Sequence, residues 1–323
     1  MAYPSDTSLN YVTQTVNPTR PVIMGPAANP SQSDVEVMRQ YIESLPQDLS
    51  YREELMSTQL WKSVKGELLG TLLLTVVGCG ASLSFQPGSA ASHAVTLQVS
   101  LAFGLVIASL VQWTGPVSGA HMNPSVSLAL LVTRHISMLR AGLYIVAQCV
   151  GALVGAAVLY GLTPSEQRGL VSLGACEPSE HLHPSQAFGL EFLGTLVVIL
   201  TILSNADPAR TNSGSKALSV GLSYTAAHLL AFPYTGAGLN PARAFGPAVV
   251  AGRWRLHWVY WVGPILGGII GGLTYEYSQV TSQSTQQLKR SFRRKSAREM
   301  MRDHSALSNN ETVFTALSND CRE

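Results

Sequence analysis

One eight-residue stretch occurs twice in this chain and decides its fold. The first copy is SGAHMNPS at Ser118–Ser125, and the second is TGAGLNPA at Thr235–Ala242, 117 positions later. Each copy is followed by an apolar run of only about ten residues. A helix rising ~1.5 Å per residue over such a run is ~15 Å long, about half of a ~30 Å hydrocarbon core. Neither run can therefore cross a membrane alone.

The Asn-Pro pair in each copy predicts where these short helices begin. Asparagine is a strong N-cap, and proline is favoured at the first helical position because the N–H that it lacks would be unpaired there. Asn123 and Asn240 are therefore expected to start two half-helices. If both point their N-termini at the membrane midplane, they stack into one full span with two positive dipole ends and two facing amides. Such a site suits a neutral polar solute and is hostile to a cation.

The composition is that of an integral membrane protein. Of the 323 residues, 46% are hydrophobic and only 12% are charged, whereas soluble domains carry ~25% charged residues. Charge is scarcest between about Ser63 and Tyr277, so we expect a membrane-embedded region with polar ends. The four cysteines are widely separated, at Cys79, Cys149, Cys176 and Cys321. Their spacing supports neither a disulfide framework nor a metal site.

Six long apolar segments are expected to span the membrane. They cover approximately Ser63–Leu83, Ala94–Trp113, Leu139–Leu162, Gln186–Ala206, Ala217–Phe232 and His257–Tyr277. The half-helices follow the second and the fifth segment, so the pattern of long, long, short and long occurs twice. Each copy has an odd number of full spans, so the second enters from the opposite face. The predicted fold is an all-α membrane protein of six transmembrane helices plus two half-helices, arranged as an inverted repeat.

Other residues repeat in the same order. Glu67 in ELLGT corresponds to Glu191 in EFLGT. Intramembrane carboxylates suggest transport by default, but their duplicated position away from the Asn-Pro stretches favours structural acceptors for loop N–H groups. Glycines spaced four apart occur at Gly151, Gly155, Gly267 and Gly271. This spacing predicts close helix contacts.

These features resemble the aquaporins of the major intrinsic protein family, water-selective animal branch, across roughly Leu60 to Tyr277. The two Asn-Pro boxes, the duplicated Glu and the run GLNPARAFGP from Gly238 carry the resemblance. It implies a passive water channel in the lipid bilayer, driven by osmotic gradients and excluding protons and ions. It also implies a homotetramer in which each protomer has its own pore. We expect no enzyme, since no nucleophile, base and acid cluster outside the pore, and neither a cofactor nor a nucleic-acid partner.

Three parts of the chain follow from this interpretation. Residues 1–59 are predicted to be a mostly disordered tail, residues 60–278 the aquaporin channel domain, and residues 279–323 a basic tail. Within the channel domain, repeat one covers 60–163 and repeat two covers 186–278. An even number of spans places both termini on one side, whose loops carry more Lys and Arg. Both termini are therefore expected to be cytoplasmic, at the plasma membrane.

The resemblance also assigns the pore residues. Asn123 and Asn240 are expected at the pore midplane, where each amide oxygen caps its helix and each NH₂ orients a water. In the family, four positions form the narrowest ring of the pore, and this chain has a matching residue at each. These are Phe103, His228, Ala237 and Arg243. Phe103 is expected opposite His228 as an aromatic wall, leaving an opening near the size of water.

Two of these residues have structural alternatives. Arg243 opposes the positive helix end and is costly to bury, so it needs a compensating role. That role is either a pore-lining donor that repels cations or a structural bond to loop carbonyls, and both can hold. A lone His in an apolar helix is more often a packed residue, but the resemblance favours a selectivity role for His228. His228 together with Ala244 after Arg243 favours water over glycerol.

Two departures from the family pattern bear on details. Ser125 stands where Ala is usual, and its hydroxyl is expected to bond an upstream backbone carbonyl. Ala237 stands where many water-specific relatives carry a cysteine, so the usual mercury target is expected to be missing.

Two alternatives remain open from the sequence. One is a channel that also passes small neutral solutes such as glycerol or peroxide, or ions. The other is a structural or adhesion protein with a closed pore. The basic C-terminal tail is a candidate contact for anionic lipids, and Ser296 after Arg293-Arg294-Lys295 is a candidate kinase target.

Overall fold

The computed structural model describes residues 50–83, 93–165, 172–207 and 214–278. The chain divides into two compact units, Met1–Leu273 and Thr274–Glu323, and only residues 274–278 of the second are described. The contacts reported below belong to the first unit. Most of the predicted N-terminal tail and all of the basic C-terminal tail lie outside the described residues.

The described residues form helices and no strands. In chain order the helices are α1 (Tyr51–Met56), α2 (Thr58–Leu74), α3 (His93–Ser118), α4 (Pro124–Val132), α5 (Met138–Leu162), α6 (Pro184–Ala206), α7 (Lys216–Thr235) and α8 (Pro241–Ala251), and residues 259–278 form α9. α2 continues into a π-helical turn at Thr75–Cys79. The six expected spans coincide with α2, α3, α5, α6, α7 and α9. Of the described helices, α3, α5 and α6 meet both the length and the hydropathy required to cross a bilayer.

The two half-helices begin where the Asn-Pro pairs predict. α4 has 9 residues and α8 has 11. The Asn123 side chain accepts a hydrogen bond from the N–H of Ser125, at 2.8 Å. The Asn240 side chain accepts from the N–H of Ala242 at 3.0 Å and of Arg243 at 3.2 Å. Both asparagines are thus N-caps with proline at the first helical position, as predicted.

Glycines bring the long helices together in repeat-related pairs. A Cβ on Gly151 of α5 would clash with the carbonyl oxygen of Leu68 on α2, and one on Gly267 of α9 would clash with that of Phe192 on α6. The predicted close contacts at these glycines are therefore confirmed. The sequence did not indicate which helices they join.

α3 and α7 cross where two further glycines, at equivalent positions of the two repeats, contact each other. Gly104 and Gly221 each precede their box asparagine by 19 positions. A Cβ on Gly104 would lie 2.7 Å from the carbonyl oxygen of Gly221, and one on Gly221 would clash with that of Gly104. Because each faces its own counterpart, the pseudo-twofold axis of the inverted repeat passes between them.

Candidate functional site

The site is built from the two loops that precede the half-helices. Both loops take left-handed backbone conformations at the same positions. In the first loop φ is +88° at Gly119, +55° at Ala120 and +48° at Met122, and the second loop repeats this with +77°, +49° and +52° at 236, 237 and 239. Such conformations are costly for residues other than glycine, so the surrounding structure must hold them.

The Glu67 carboxylate holds the first loop. It is fully buried, and it accepts hydrogen bonds from the backbone N–H of His121 at 2.9 Å and of Met122 at 2.6 Å. The Ser118 hydroxyl and the Gln148 amide donate to it as well, at 2.5 and 2.8 Å. A buried N–H without a partner costs ~1–3 kcal/mol. The carboxylate therefore stabilises the loop by accepting from backbone N–H groups that would otherwise be unpaired.

The Glu191 carboxylate holds the second loop in the same way. It accepts from the N–H of Gly238 at 2.9 Å and of Leu239 at 2.5 Å, and from the Thr235 hydroxyl at 2.6 Å. The prediction that both glutamates are structural acceptors for loop N–H groups is confirmed.

A tyrosine fastens the start of each loop. The Tyr144 hydroxyl donates to the carbonyl of Ser118 at 2.9 Å, and the Tyr260 hydroxyl donates to that of Thr235 at 2.6 Å. The sequence analysis did not predict this bond. Each tyrosine precedes a close-contact glycine, Gly151 or Gly267, by seven positions, and this repeated spacing was the signal that could have revealed it.

The two box asparagines meet across the junction of the half-helices. The Asn123 amide donates to the carbonyl of Leu239 at 2.9 Å, and the Asn240 amide donates to that of Met122 at 2.7 Å. Each amide therefore caps its own helix through its oxygen and ties down the opposite loop through its nitrogen. The predicted facing arrangement is confirmed, while the bonds to the opposite loop were not foreseen.

The aromatic residues of the predicted filter form one stack. The rings of Phe103 and His228 lie 4.4 Å apart between centroids with an interplanar angle of 21°, and the Arg243 guanidinium carbon lies 4.9 Å from the Phe103 centroid. The expectation that Phe103 lies opposite His228 is wrong, because stacked rings at this distance leave no opening between them. They form a single wall with Arg243 over it.

Arg243 is buried and partly bonded. Its exposed fraction is 2%. Two of its nitrogens donate to the carbonyls of Gly174 at 2.7 Å and of Gly236 at 3.4 Å, so the structural alternative holds. Its Nε has no hydrogen-bond partner among the described residues. Ala237, the remaining predicted filter residue, is fully buried directly after Gly236.

His228 also keeps one ring nitrogen without a protein partner. Its Nδ1 lies 2.8 Å from the Tyr224 carbonyl oxygen one helical turn back, whereas its Nε2 has no partner within the described part of the chain. Buried polar atoms are nearly always paired with protein or with water. The free Nε2 and the Nε of Arg243 therefore mark places where a small polar solute can bond.

Two polar side chains near the first box behave differently from expectation. The Ser125 hydroxyl is buried without a partner among the described residues, so its predicted bond to an upstream carbonyl is absent. Ser127 is the hydroxyl that is engaged, since it lies 3.0 Å from His121 Nδ1 and accepts from the Gln148 amide at 3.1 Å. No feature of the sequence distinguished these two serines.

Two neighbouring cavities lie beside the first loop. One of about 280 Å³ is lined by His121, Arg140, Lys216 and Val220 among others. A cavity of about 10 Å³ adjoins it, since His121 and Val220 line both, and Tyr224 also lines the smaller one. Because about 10 Å³ of this kind is room for roughly one water, the space beside Tyr224 is far smaller than the neighbouring cavity.

A further small cavity lies beside Arg243. It also measures about 10 Å³ and is lined by Ser172, Gly174 and Arg243 among others. In the described ranges, no group of three or more His, Cys, Asp or Glu side chains could hold a metal ion. The site therefore offers fixed hydrogen-bond donors and small spaces.

The chain belongs to the major intrinsic protein family, whose sequence model matches residues 54–275. It is 47% identical over 216 residues to the lens fiber major intrinsic protein of Oryctolagus cuniculus, covering 67% of this chain and 80% of that protein. It is 45% identical over 212 residues to aquaporin-1 of Homo sapiens, covering 64% of this chain and 78% of the relative. Members of this family are membrane channels and not enzymes.

A solved structure supports the same fold. The X-ray structure of the aquaglyceroporin from Plasmodium falciparum superposes with a TM-score of 0.57 at 25% identity, covering 67% of this chain and 95% of that one. The fold is thus the aquaporin-like helical membrane fold that the sequence predicted.

Proposed function

We propose that this chain is a passive, water-selective channel driven by osmotic gradients. Its pore passes the midplane asparagines Asn123 and Asn240 and a filter of Phe103, His228, Ala237 and Arg243. One observation carries the proposal. Beside the stack that Phe103 and His228 form, Arg243 Nε and His228 Nε2 are both buried without a partner among the described residues.

Water fits these two nitrogens better than an ion does. A water molecule can accept from the arginine and bond to the histidine within a space of molecular size. A cation would meet the Arg243 charge and then the positive ends of two half-helices, so it is repelled twice.

The Asn240 amide gives a physical reason for excluding protons. The described bonds use only one of the two N–H groups of the Asn240 amide, on Met122. The other N–H is a donor for a passing water. A water whose oxygen accepts from fixed donors turns its hydrogens outward, so it cannot relay a proton through the midplane.

A channel for small neutral solutes is the second candidate. The likeness to a structure described as an aquaglyceroporin favours it, and the 45% identity to a protein named aquaporin-1 favours water. The stacked Phe103 and His228 rings beside the Arg243 guanidinium also favour the smaller solute, because bulky side chains fill the filter.

The proposal extends to the setting of the channel. We place it in the plasma membrane as a multi-pass homotetramer with both termini cytoplasmic. Arg134 in the loop after the first half-helix, Arg140 in the first turn of α5 and Lys216 at the start of α7 support this orientation. Residues 60–278 are the channel domain of the proposal, and the basic tail after residue 278 is a candidate contact for anionic lipids and a kinase.

Stopped-flow light scattering of proteoliposomes tests the function. Vesicles that contain the purified chain are mixed with sucrose or glycerol, and proton entry is followed with an internal pH dye. Water efflux well above that of empty vesicles, with glycerol and proton entry at background, is the expected result. Glycerol entry as fast as water efflux would favour the second candidate. Water efflux at background would leave a closed, structural role.

A further inference from the structure

Tyr224 lies on the same face of α7 as the filter histidine. Val220, Tyr224 and His228 are spaced four apart, so they follow one stripe of the helix. Val220 and Tyr224 both line the cavity of about 10 Å³ that adjoins the one of about 280 Å³. His228 stacks on Phe103. Along this face, Tyr224 therefore lies between Val220, which lines both neighbouring cavities, and the proposed filter residue His228.

The Tyr224 hydroxyl reaches the half-helix junction itself. It accepts a hydrogen bond from the Asn123 amide nitrogen at 3.1 Å. The same nitrogen donates to the carbonyl of Leu239 at 2.9 Å. An asparagine amide has two N–H donors, so the described bonds of Asn123 occupy both.

This contact makes the two midplane asparagines unequal. Asn240 keeps one N–H for a passing solute, whereas the second N–H of Asn123 is taken by a protein oxygen. The Tyr224 hydroxyl hydrogen has no acceptor among the described residues, so it is free to donate. A solute at the junction then meets an amide donor on one side and a phenol donor on the other.

We propose that Tyr224 is a further specificity-determining residue of the pore. Its ring narrows the passage at the half-helix junction, in series with the filter, and its hydroxyl replaces one asparagine donor. The inference rests on the proposed function, because it assumes that the pore follows the Val220, Tyr224 and His228 face of α7.

Two constrictions in series predict a specific pattern of solute flux. Replacing Tyr224 by Val removes the ring, so water permeability rises about threefold when this constriction limits flow. Replacing His228 by Val widens only the filter, so glycerol entry stays near background. The double variant opens both constrictions, and its glycerol entry rises about tenfold over background. The two substitutions are thus expected to be strongly non-additive for glycerol.

The hydroxyl is tested separately from the ring. Tyr224→Phe keeps the ring and returns a donor of Asn123 to the lumen, and about a twofold rise in water permeability is expected. Glycerol entry should remain at background, also when His228→Val is added. The same Tyr to Val change at Tyr234, which is 49% exposed on the same helix, is the matched control and should leave water permeability unchanged.

The experiment is stopped-flow light scattering with each variant reconstituted at equal density, after size-exclusion chromatography has shown that it is folded. Wild type against empty vesicles tests the proposed function, and the ratio of variant to wild type tests Tyr224. A folded Tyr224→Val that is no faster than wild type overturns the inference. If Tyr224→Val does not fold, Tyr224→Phe decides, and wild-type water flux in that variant overturns it. If wild type shows no water efflux above empty vesicles but Tyr224→Val does, the proposed function is refuted and Tyr224 is supported as a barrier.

Discussion

The two repeats of this molecule share a scaffold and differ in the side chains that surround the pore. Glu67 and Glu191 hold their loops through two backbone N–H groups and one hydroxyl each, at 2.5 to 2.9 Å. Tyr144 and Tyr260 fasten the loop starts in the same way. These pairs build the same turn twice, so they serve the fold.

The differences lie where a solute would pass. At the positions that match Tyr224, His228 and Arg243, 117 residues earlier, the first repeat has Ile107, Val111 and Val126, all three apolar. The first repeat has its own polar group, in which Gln148 joins Glu67 to Ser127. The two repeats therefore share the residues that hold the loops, whereas the second repeat contains most of the polar groups proposed to select the solute.

Removing a loop carboxylate should have the largest effect. Glu191→Ala leaves two backbone N–H groups and the Thr235 hydroxyl without their acceptor in a buried site. We expect a loss of about 3 kcal/mol or more and little folded protein. Glu67→Ala should behave alike, because its loop is held in the same way. The measurement is the yield of monodisperse protein and its thermal midpoint in detergent.

The control for this pair is the exposed Glu180. Glu180→Ala removes the same charge and should keep both yield and midpoint. A folded, stable Glu191→Ala would show that the carboxylates do not hold the loops, and a large difference between the two glutamates would break the equivalence of the repeats.

Changing Arg243 to the residue of the other repeat should alter selectivity without unfolding the protein. Arg243→Val recreates the side chain found at Val126 and removes the cation beside Phe103. We expect proton permeability to rise about tenfold, because one of the two electrostatic barriers is lost. A dye-based proton flux assay in proteoliposomes measures this.

A matched arginine outside the filter separates pore charge from surface charge. Arg253 pairs with Glu177 at 3.2 Å and is 40% exposed. Arg253→Val should leave proton flux unchanged. Equal proton flux in wild type and Arg243→Val would remove Arg243 from the filter and leave it only the structural bonds to Gly174 and Gly236.

The tyrosine anchors should give the smallest effect. Tyr144→Phe and Tyr260→Phe each delete one buried hydrogen bond and leave a loop carbonyl without that donor. Each should cost about 1 kcal/mol, nearly equal in the two repeats. Thermal midpoints in detergent measure the cost, and Tyr234→Phe at an exposed position should show no change. Unequal losses would indicate that the two loops are held differently.

Much of the scaffold could be predicted because its signals are local or duplicated. Asn-Pro fixes a helix start through capping, so the first residue of each half-helix followed from neighbouring residues. The duplicated position of Glu67 and Glu191 indicated their structural role. The glycine pairs indicated close contacts by their spacing alone.

The site was predicted less completely, because its contacts join residues that are far apart in the chain. Phe103 was expected across the opening from His228, but its ring stacks on the histidine. The nearer of the two carbonyls that hold Arg243 belongs to Gly174, in a loop that carries no repeat signal. Tyr224 lies four residues before His228 and shares its helix face, yet its bond to Asn123 spans 101 residues, and no local pattern reports that.

A mercury block at residue 237 tests whether solute passes through the junction of the two opposed half-helices. Ala237→Cys places a thiol in the proposed filter, where wild type has none. Among the native cysteines of the described residues, Cys79 and Cys176 are buried and Cys149 is partly exposed, and none of these three is a proposed filter residue. Water efflux from proteoliposomes should stop when mercury is added to Ala237→Cys and return with excess thiol, while wild type is unaffected. Undiminished water efflux in the Ala237→Cys variant, once its introduced thiol is shown to be labelled, would contradict the account.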